Sequence, residues 1–188
     1  MRIVANAFVA WAILAPAAFA GWDELFNGRD LNGWDPQTKA NWTVRDGAIS
    51  VSEGRKGLLT SKSTYRDFEL ELEFKADKGS HSGVLLCSPK EVTDPATECY
   101  EVAIAPESSN YPTGSLTGRA RHGGAGEFSG WRKLRVKVDG GKVEVWLDGQ
   151  RTVQYEDRRA LGYGYIGLEY DQGRVEFRNI RVQKIDLP

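Results

Sequence analysis

Asp67 to Lys75 reads DFELELEFK, with Phe68, Leu70, Leu72 and Phe74 at one parity and Glu69, Glu71, Glu73 and Lys75 at the other. A period of two belongs to a strand with one face in an apolar core and the other in water. The alternation returns along the chain, with no convincing amphipathic helix between its appearances. Strands are expected near residues 42–44, 48–51, 57–60, 68–74, 83–87, 99–105, 134–138, 143–147, 152–155, 165–170 and 175–182. Asp46-Gly47, Asp139-Gly140-Gly141 and Asp148-Gly149 supply tight turns from residues that accept positive φ. A short helix fits only around Tyr155 to Leu161. A single sheet would leave its apolar side wet, so the fold expected is all-β, a sandwich of two antiparallel sheets.

Residues 1–20 stand outside this pattern. Arg2 precedes an apolar run, and Ala18-Phe19-Ala20 has the small-x-small form of a cleavage site before Gly21. The run is too short and alanine-rich for a comfortable membrane span. The expectation is a signal peptide over 1–20, one domain over 21–188 and a periplasmic or secreted protein with no membrane span in the mature chain. Lys and Arg number 25 against 26 Asp and Glu, a formal charge of -1 with no basic block, which argues against nucleic acid as a partner.

Strand parity also sorts the outer faces. Tyr100, Val102 and Ile104 should face the core and leave Cys99, Glu101 and Ala103 opposite; Val84 and Leu86 should leave Gly83, Leu85 and Cys87 opposite. Both cysteines then share an outer face, and export favours a cross-strand disulfide between Cys87 and Cys99. Such a loop closure would stabilise the fold by roughly 3 kcal/mol; the alternative is two buried thiols. Glu101, beside the small Gly83 and Ala103, can floor a groove or be an ordinary solvated glutamate.

The wording of the chain resembles a known family, the 3-keto-disaccharide hydrolase domain, similar in turn to concanavalin-like and laminin-G-like jelly rolls. The resemblance runs from LFNGRDLNGW at Leu25 to FRNIRV at Phe177. It passes through WTVRDGAIS at Trp42, DFELELEFK, HSGVLL at His81, YEV at Tyr100, VEVWLDG at Val143 and YIGLE at Tyr165. It implies a concanavalin A-like jelly roll acting on glycosides whose sugar carries a 3-keto group. The ketone makes the neighbouring C2 proton acidic, so the glycosidic bond breaks by elimination followed by hydration. That chemistry needs a base near C2, a proton donor for the leaving group and polarisation of the ketone. Glu101 matches the glutamate of the family's Y/F-E motif, and Ser82-Gly83 matches its asparagine-serine-glycine motif with His81 in place of asparagine. Cys87 stands where an arginine is common, Glu169 where the family has glutamine, and Asp171 where it has histidine.

The candidate catalytic residues are therefore Glu101, His81, His122, Glu169 and Asp171, and the candidate substrate-binding residues are Trp146, Arg119, Arg121 and Tyr170. His122, Arg119 and Arg121 share a glycine-rich section, GRARHGGAGEF, suited to closing over a sheet. Trp146 alternates outward and offers a ring for stacking on a sugar. Glu169 and Asp171 end one strand, where paired carboxylates split acid and base roles or bind calcium. The partner expected is a carbohydrate or keto-glycoside. Two other readings stay open, a non-catalytic carbohydrate-binding module and an envelope structural or interaction domain.

Overall fold

The computed structural model describes residues 21–37, 39–124, 126 and 130–185; the expected signal peptide lies outside them. Thirteen strands appear in it: β1 (Asp23–Glu24), β2 (Trp34–Pro36), β3 (Thr43–Arg45), β4 (Ala48–Val51), β5 (Gly57–Tyr65), β6 (Phe68–Ala76), β7 (His81–Ser88), β8 (Tyr100–Ile104), β9 (Arg132–Asp139), β10 (Lys142–Leu147), β11 (Gln150–Glu156), β12 (Gly164–Gln172) and β13 (Val175–Lys184). They form two antiparallel sheets. The larger runs β11-β10-β9-β6-β13-β4-β3, with β1 on β13; the smaller runs β2-β5-β12-β7-β8. The fold is the expected all-β sandwich. No helix among the described residues is long and apolar enough to cross a membrane.

The strand that decides the fold behaves as its spelling requires. Phe68, Leu70, Leu72 and Phe74 are buried between the sheets, and removing each from water contributes about 2 kcal/mol. They meet Leu134, Val136 and Val138 of β9 and Phe177, Ile180 and Val182 of β13, all in one core with the inner side chains of the smaller sheet. Trp34 and Trp42 are buried there too. The segment 155–161, where a short helix was expected, finishes β11 and turns; the one helix described is a single turn, α1 (Pro95–Glu98), capped by Asp94.

The disulfide expectation is overturned. Cys87 and Cys99 are free, buried thiols. Strand β7 pairs with β8 up to Leu86↔Tyr100, and continuing that ladder would have placed the cysteines opposite one another. Instead Cys87 takes φ 52. Against β12 the register slips between Tyr165↔Ser88 and Gly167↔Leu85, so two residues of β7 oppose one of β12. A bulge of this kind puts successive side chains on the same side. Leu86 and Cys87 both enter the main core, where the Cys87 thiol donates to Arg66 O at 3.7 Å. Gly164 makes room for the bulge, since a Cβ there would lie 2.2 Å from the Cys87 carbonyl carbon. Cys99 stays on the outer face with Leu58 and Leu85, its thiol donating to Pro95 O at 3.5 Å.

Candidate functional site

The outer face of the smaller sheet collects the acidic candidates. Strand pairing sets Leu58, Glu169, Gly83 and Ala103 in one row across β5, β12, β7 and β8, and Thr60, Gly167, Leu85 and Glu101 in the next. Glu101 does not stand straight up from its row. It lies over Gly83, where a Cβ would meet its Oε1 at 2.8 Å, and there its carboxyl bonds that of Glu169. A carboxyl–carboxyl hydrogen bond requires one proton between the two groups.

Both acids are buried, Glu101 at 7% and Glu169 at 8% exposure. Glu169 is ion-paired with Lys56 at 3.0 Å. Burial, then the charge of Glu169 and the hydrogen bond to it, push the Glu101 carboxyl up to about 8; the Thr117 hydroxyl and the Lys56 ammonium act in the opposite direction. Desolvation and a like-charged neighbour both disfavour ionisation of a carboxyl. Glu101 is consequently an acid at neutral pH. Burial works against the Lys56 charge too, but the carboxylates of Glu169, Asp171 and Glu101 outweigh it and hold its pKa above the ordinary value.

Two segments enclose this pair. The connection after β7 returns through α1 and covers part of the outer face, where Val92 packs on Leu58, Leu85 and Cys99. These two leucines can approach each other because Gly167 lies between them, its Cβ position 2.8 Å from Leu58 Cδ1. On the other side, residues 113–117 run along β8: Ala103 N–H donates to Ser115 O at 3.0 Å and Thr117 N–H to Glu101 O at 2.9 Å. That pairing brings the Thr117 hydroxyl to the Glu101 carboxyl. Gly118 then turns against α1, leaving no space for a side chain beside Ala96.

Of the sequence candidates, Glu101 and Glu169 come together, and Lys56, ion-paired with Glu169, also feels the charge of Asp171. His81 has the same parity on β7 as Gly83, which places it on this face and half-buried. Arg119 stacks over the Tyr100 ring at 4.8 Å, with one terminal nitrogen buried and unpartnered. Arg121 is tied to Asn110 O at 3.0 Å, and the His122 amide to Ser115 Oγ at 2.9 Å. Tyr170 points into the core. Trp146 faces solvent, but on the larger sheet, on the opposite side of the sandwich from Glu101.

Lys56 and Thr117 carry no local signal in the sequence. Lys56 shares the parity of Leu58 and Thr60, yet nothing before the pairing of β5 with β12 sets it beside Glu169. Thr117 sits in an irregular stretch with no period to read. Among the described residues no three His, Cys, Asp or Glu side chains gather as metal ligands, and the Lys56 ammonium lies against the Glu169 carboxylate.

A lectin-like β-sandwich with a buried acid pair on its smaller sheet is the class these features define. Residues 21–183 match the family described as the 3-keto-alpha-glucoside-1,2-lyase-like domain, and the chain belongs to that family. It is 24% identical to a 3-keto-disaccharide hydrolase of Bacteroides thetaiotaomicron, over 91% of this chain and 81% of that protein. In fold it is similar to a crystal structure from Parabacteroides distasonis named as a candidate glycosyl hydrolase, with TM-score 0.76 and 18% identity over 88% of this chain and 94% of the other. It is also similar to the lumenal domain of VIP36 in a form bound to calcium and Man3GlcNAc. There the TM-score is 0.62 and the identity 14%, over 87% of this chain and 88% of the other.

Proposed function

We propose that this protein cleaves 3-keto-glycosides by elimination and hydration, with the Glu101–Glu169 pair as its acid and base. The observation that carries the reading is this buried pair, two carboxyls in contact on the outer face of the smaller sheet with Lys56 ion-paired to Glu169. Glu169, ionised, takes the C2 proton made acidic by the ketone, and Glu101, protonated, gives its proton to the departing glycosidic oxygen. The C1–O bond breaks, a C1=C2 double bond forms, and the alcohol leaves. The pair again holds one proton, now on Glu169. In the return step water adds across the double bond: Glu101 accepts a proton from water as its oxygen attacks C1, and Glu169 returns one to C2. Two carboxyls with opposite protonation states are what acid–base chemistry at one site requires.

Lys56 supplies the positive charge for the enolate oxygen that develops from the ketone, a role of the kind filled by oriented donors in acyl-transfer enzymes. His81, at the same face, is the group nearest in strand order for orienting the sugar. Export directed by residues 1–20 would put the reaction in the periplasm or outside the cell.

The test is incubation of the mature protein with 3-keto glycosides and with their unoxidised parents. Release of sugar from the keto forms alone supports the elimination route, since an ordinary glycosidase has no need of the ketone. Release from both overturns that route. Tight binding with no turnover overturns catalysis and leaves a carbohydrate-binding module.

A further inference from the structure

The outer face of the larger sheet carries a row of side chains that the acid pair does not use. Strand pairing runs Trp146↔Arg135↔Glu71↔Arg181↔Glu24 across β10, β9, β6, β13 and β1. From Trp146 to Arg181 this row covers three strand spacings, about 14 Å. Each guanidinium is paired with a carboxylate: Arg135 donates to Glu69 Oε2 at 2.6 and 3.1 Å, and Arg181 to Glu71 Oε2 at 2.6 and 3.0 Å. Each also stacks on an indole, Arg135 at 5.0 Å from the centre of Trp146 and Arg181 at 4.7 Å from that of Trp22.

A ladder of opposite charges on a sheet is ordinarily a flat, solvated lattice. Here it floors a hollow of ≈ 630 Å³ that reaches from Glu24 to Trp146. Two irregularities open it. Asn179, at φ 51, is the extra residue of a bulge in β13, and Gly149 at the turn after β10 contributes no side chain. The hollow suits a small organic ligand in size.

The lining narrows the chemistry of a ligand. Lys133, Arg135 and Arg181 are matched by Glu24, Glu71 and Glu73, so the surface carries no excess charge and would not retain a polyanion. Its floor is polar and would not hold a lipid or an apolar peptide. What remains is a ligand with many hydroxyls and an apolar ring face, met by paired donors and acceptors below and by the half-buried Trp146 indole at one end, with Trp22 behind Arg181 at the other. We propose that this hollow is a second, non-catalytic site that binds a neutral oligosaccharide, on the side of the sandwich opposite Glu101. It stands independently of the cleavage proposal.

The indole N–H signals of isotope-labelled protein provide the test, during titration with cellohexaose, maltohexaose and laminarihexaose, and with hexagalacturonate as the anionic control. The expected result is saturable movement of the Trp146 and Trp22 signals with at least one neutral sugar and none with the uronate. Trp146→Ala should weaken that binding about tenfold, the worth of one stacked ring, while turnover of a 3-keto glycoside stays at the wild-type level. Trp22→Ala, outside the core, should do the same and guards against a folding defect in the first variant. The inference is overturned if no neutral sugar moves either signal up to about 10 mM, a concentration at which even weak lectin sites fill. It is also overturned if only signals around Glu101 respond, if the uronate binds better, or if both variants bind like wild type.

Discussion

The Glu101 carboxyl occupies the space that a side chain at Gly83 would fill, a Cβ there lying 2.8 Å from Oε1 and 2.9 Å from Cγ. Gly83 is thus a positioning residue, acting by what it lacks. Gly83→Ala should leave the fold standing, because the atoms that must move are the end of one side chain, and its unfolding free energy should stay within about 1 kcal/mol of wild type. Glu101 should be displaced from Glu169, and turnover should fall on the order of 10²-fold, as for other misplacements of about an ångström. Wild-type turnover in this variant would sink the shared-proton arrangement.

Replacing Glu101 by Gln keeps the size and hydrogen bonding of the side chain but leaves it no proton to exchange. Cleavage should drop by about 10²- to 10⁴-fold, with the fold intact by circular dichroism. If turnover survives, the acid role belongs elsewhere on this face, with His81 the first to examine.

Stability should carry a second signature of the same residue. The folded Glu101 carboxyl lies at about 8 against an ordinary 4.5, so the folded chain holds a proton that the unfolded chain releases. Stability from this group is full below about 4.5 and declines as pH rises to about 8, by a few kcal/mol at most. Urea unfolding of wild type and Glu101→Gln across that window should give a steeper decline for wild type. Parallel curves would refute the raised carboxyl.

Lys56→Met removes a charge while keeping the length of the side chain. Turnover should fall about 10²-fold, the loss typical of an oxyanion donor. The alkaline limb of the rate profile, set by loss of the Glu101 proton, should move to higher pH, because the ammonium favours the ionised carboxyl. A limb that stays in place would separate Lys56 from the acid pair.

Thiol titration checks the correction at β7. Denatured protein, prepared without reductant, should give two thiols, and native protein should react slowly at both. Burial pushes the Cys87 thiol up to about 12 and the Cys99 thiol higher still, which leaves little thiolate to react at neutral pH.

Parity in the sequence was a faithful guide wherever strands stay regular. It gave the faces of β6 and β8 and the outward side of Trp146 on β10, and it set Glu101 on an outer face. It failed at Cys87, where one αL residue inserts an extra position and reverses the reading that linked the two cysteines. Parity also tells inward from outward without telling which sheet a strand joins, so Trp146 and Glu101 looked like neighbours and stand on opposite sides. Lys56 and Thr117 depend on pairings between distant segments, which no local period encodes.

The segment that carries Thr117 has a consequence for association. An unpaired strand margin is a template on which another chain can add a strand. Residues 113–117 occupy that margin on β8, while the opposite margin, β2, is three residues long and ends in Pro36. The smaller sheet is thereby closed to growth at both sides. The same five residues thus cover the margin of β8 and carry the Thr117 contact with Glu101, so a change that frees this segment would expose a strand edge and alter the Glu101 environment together.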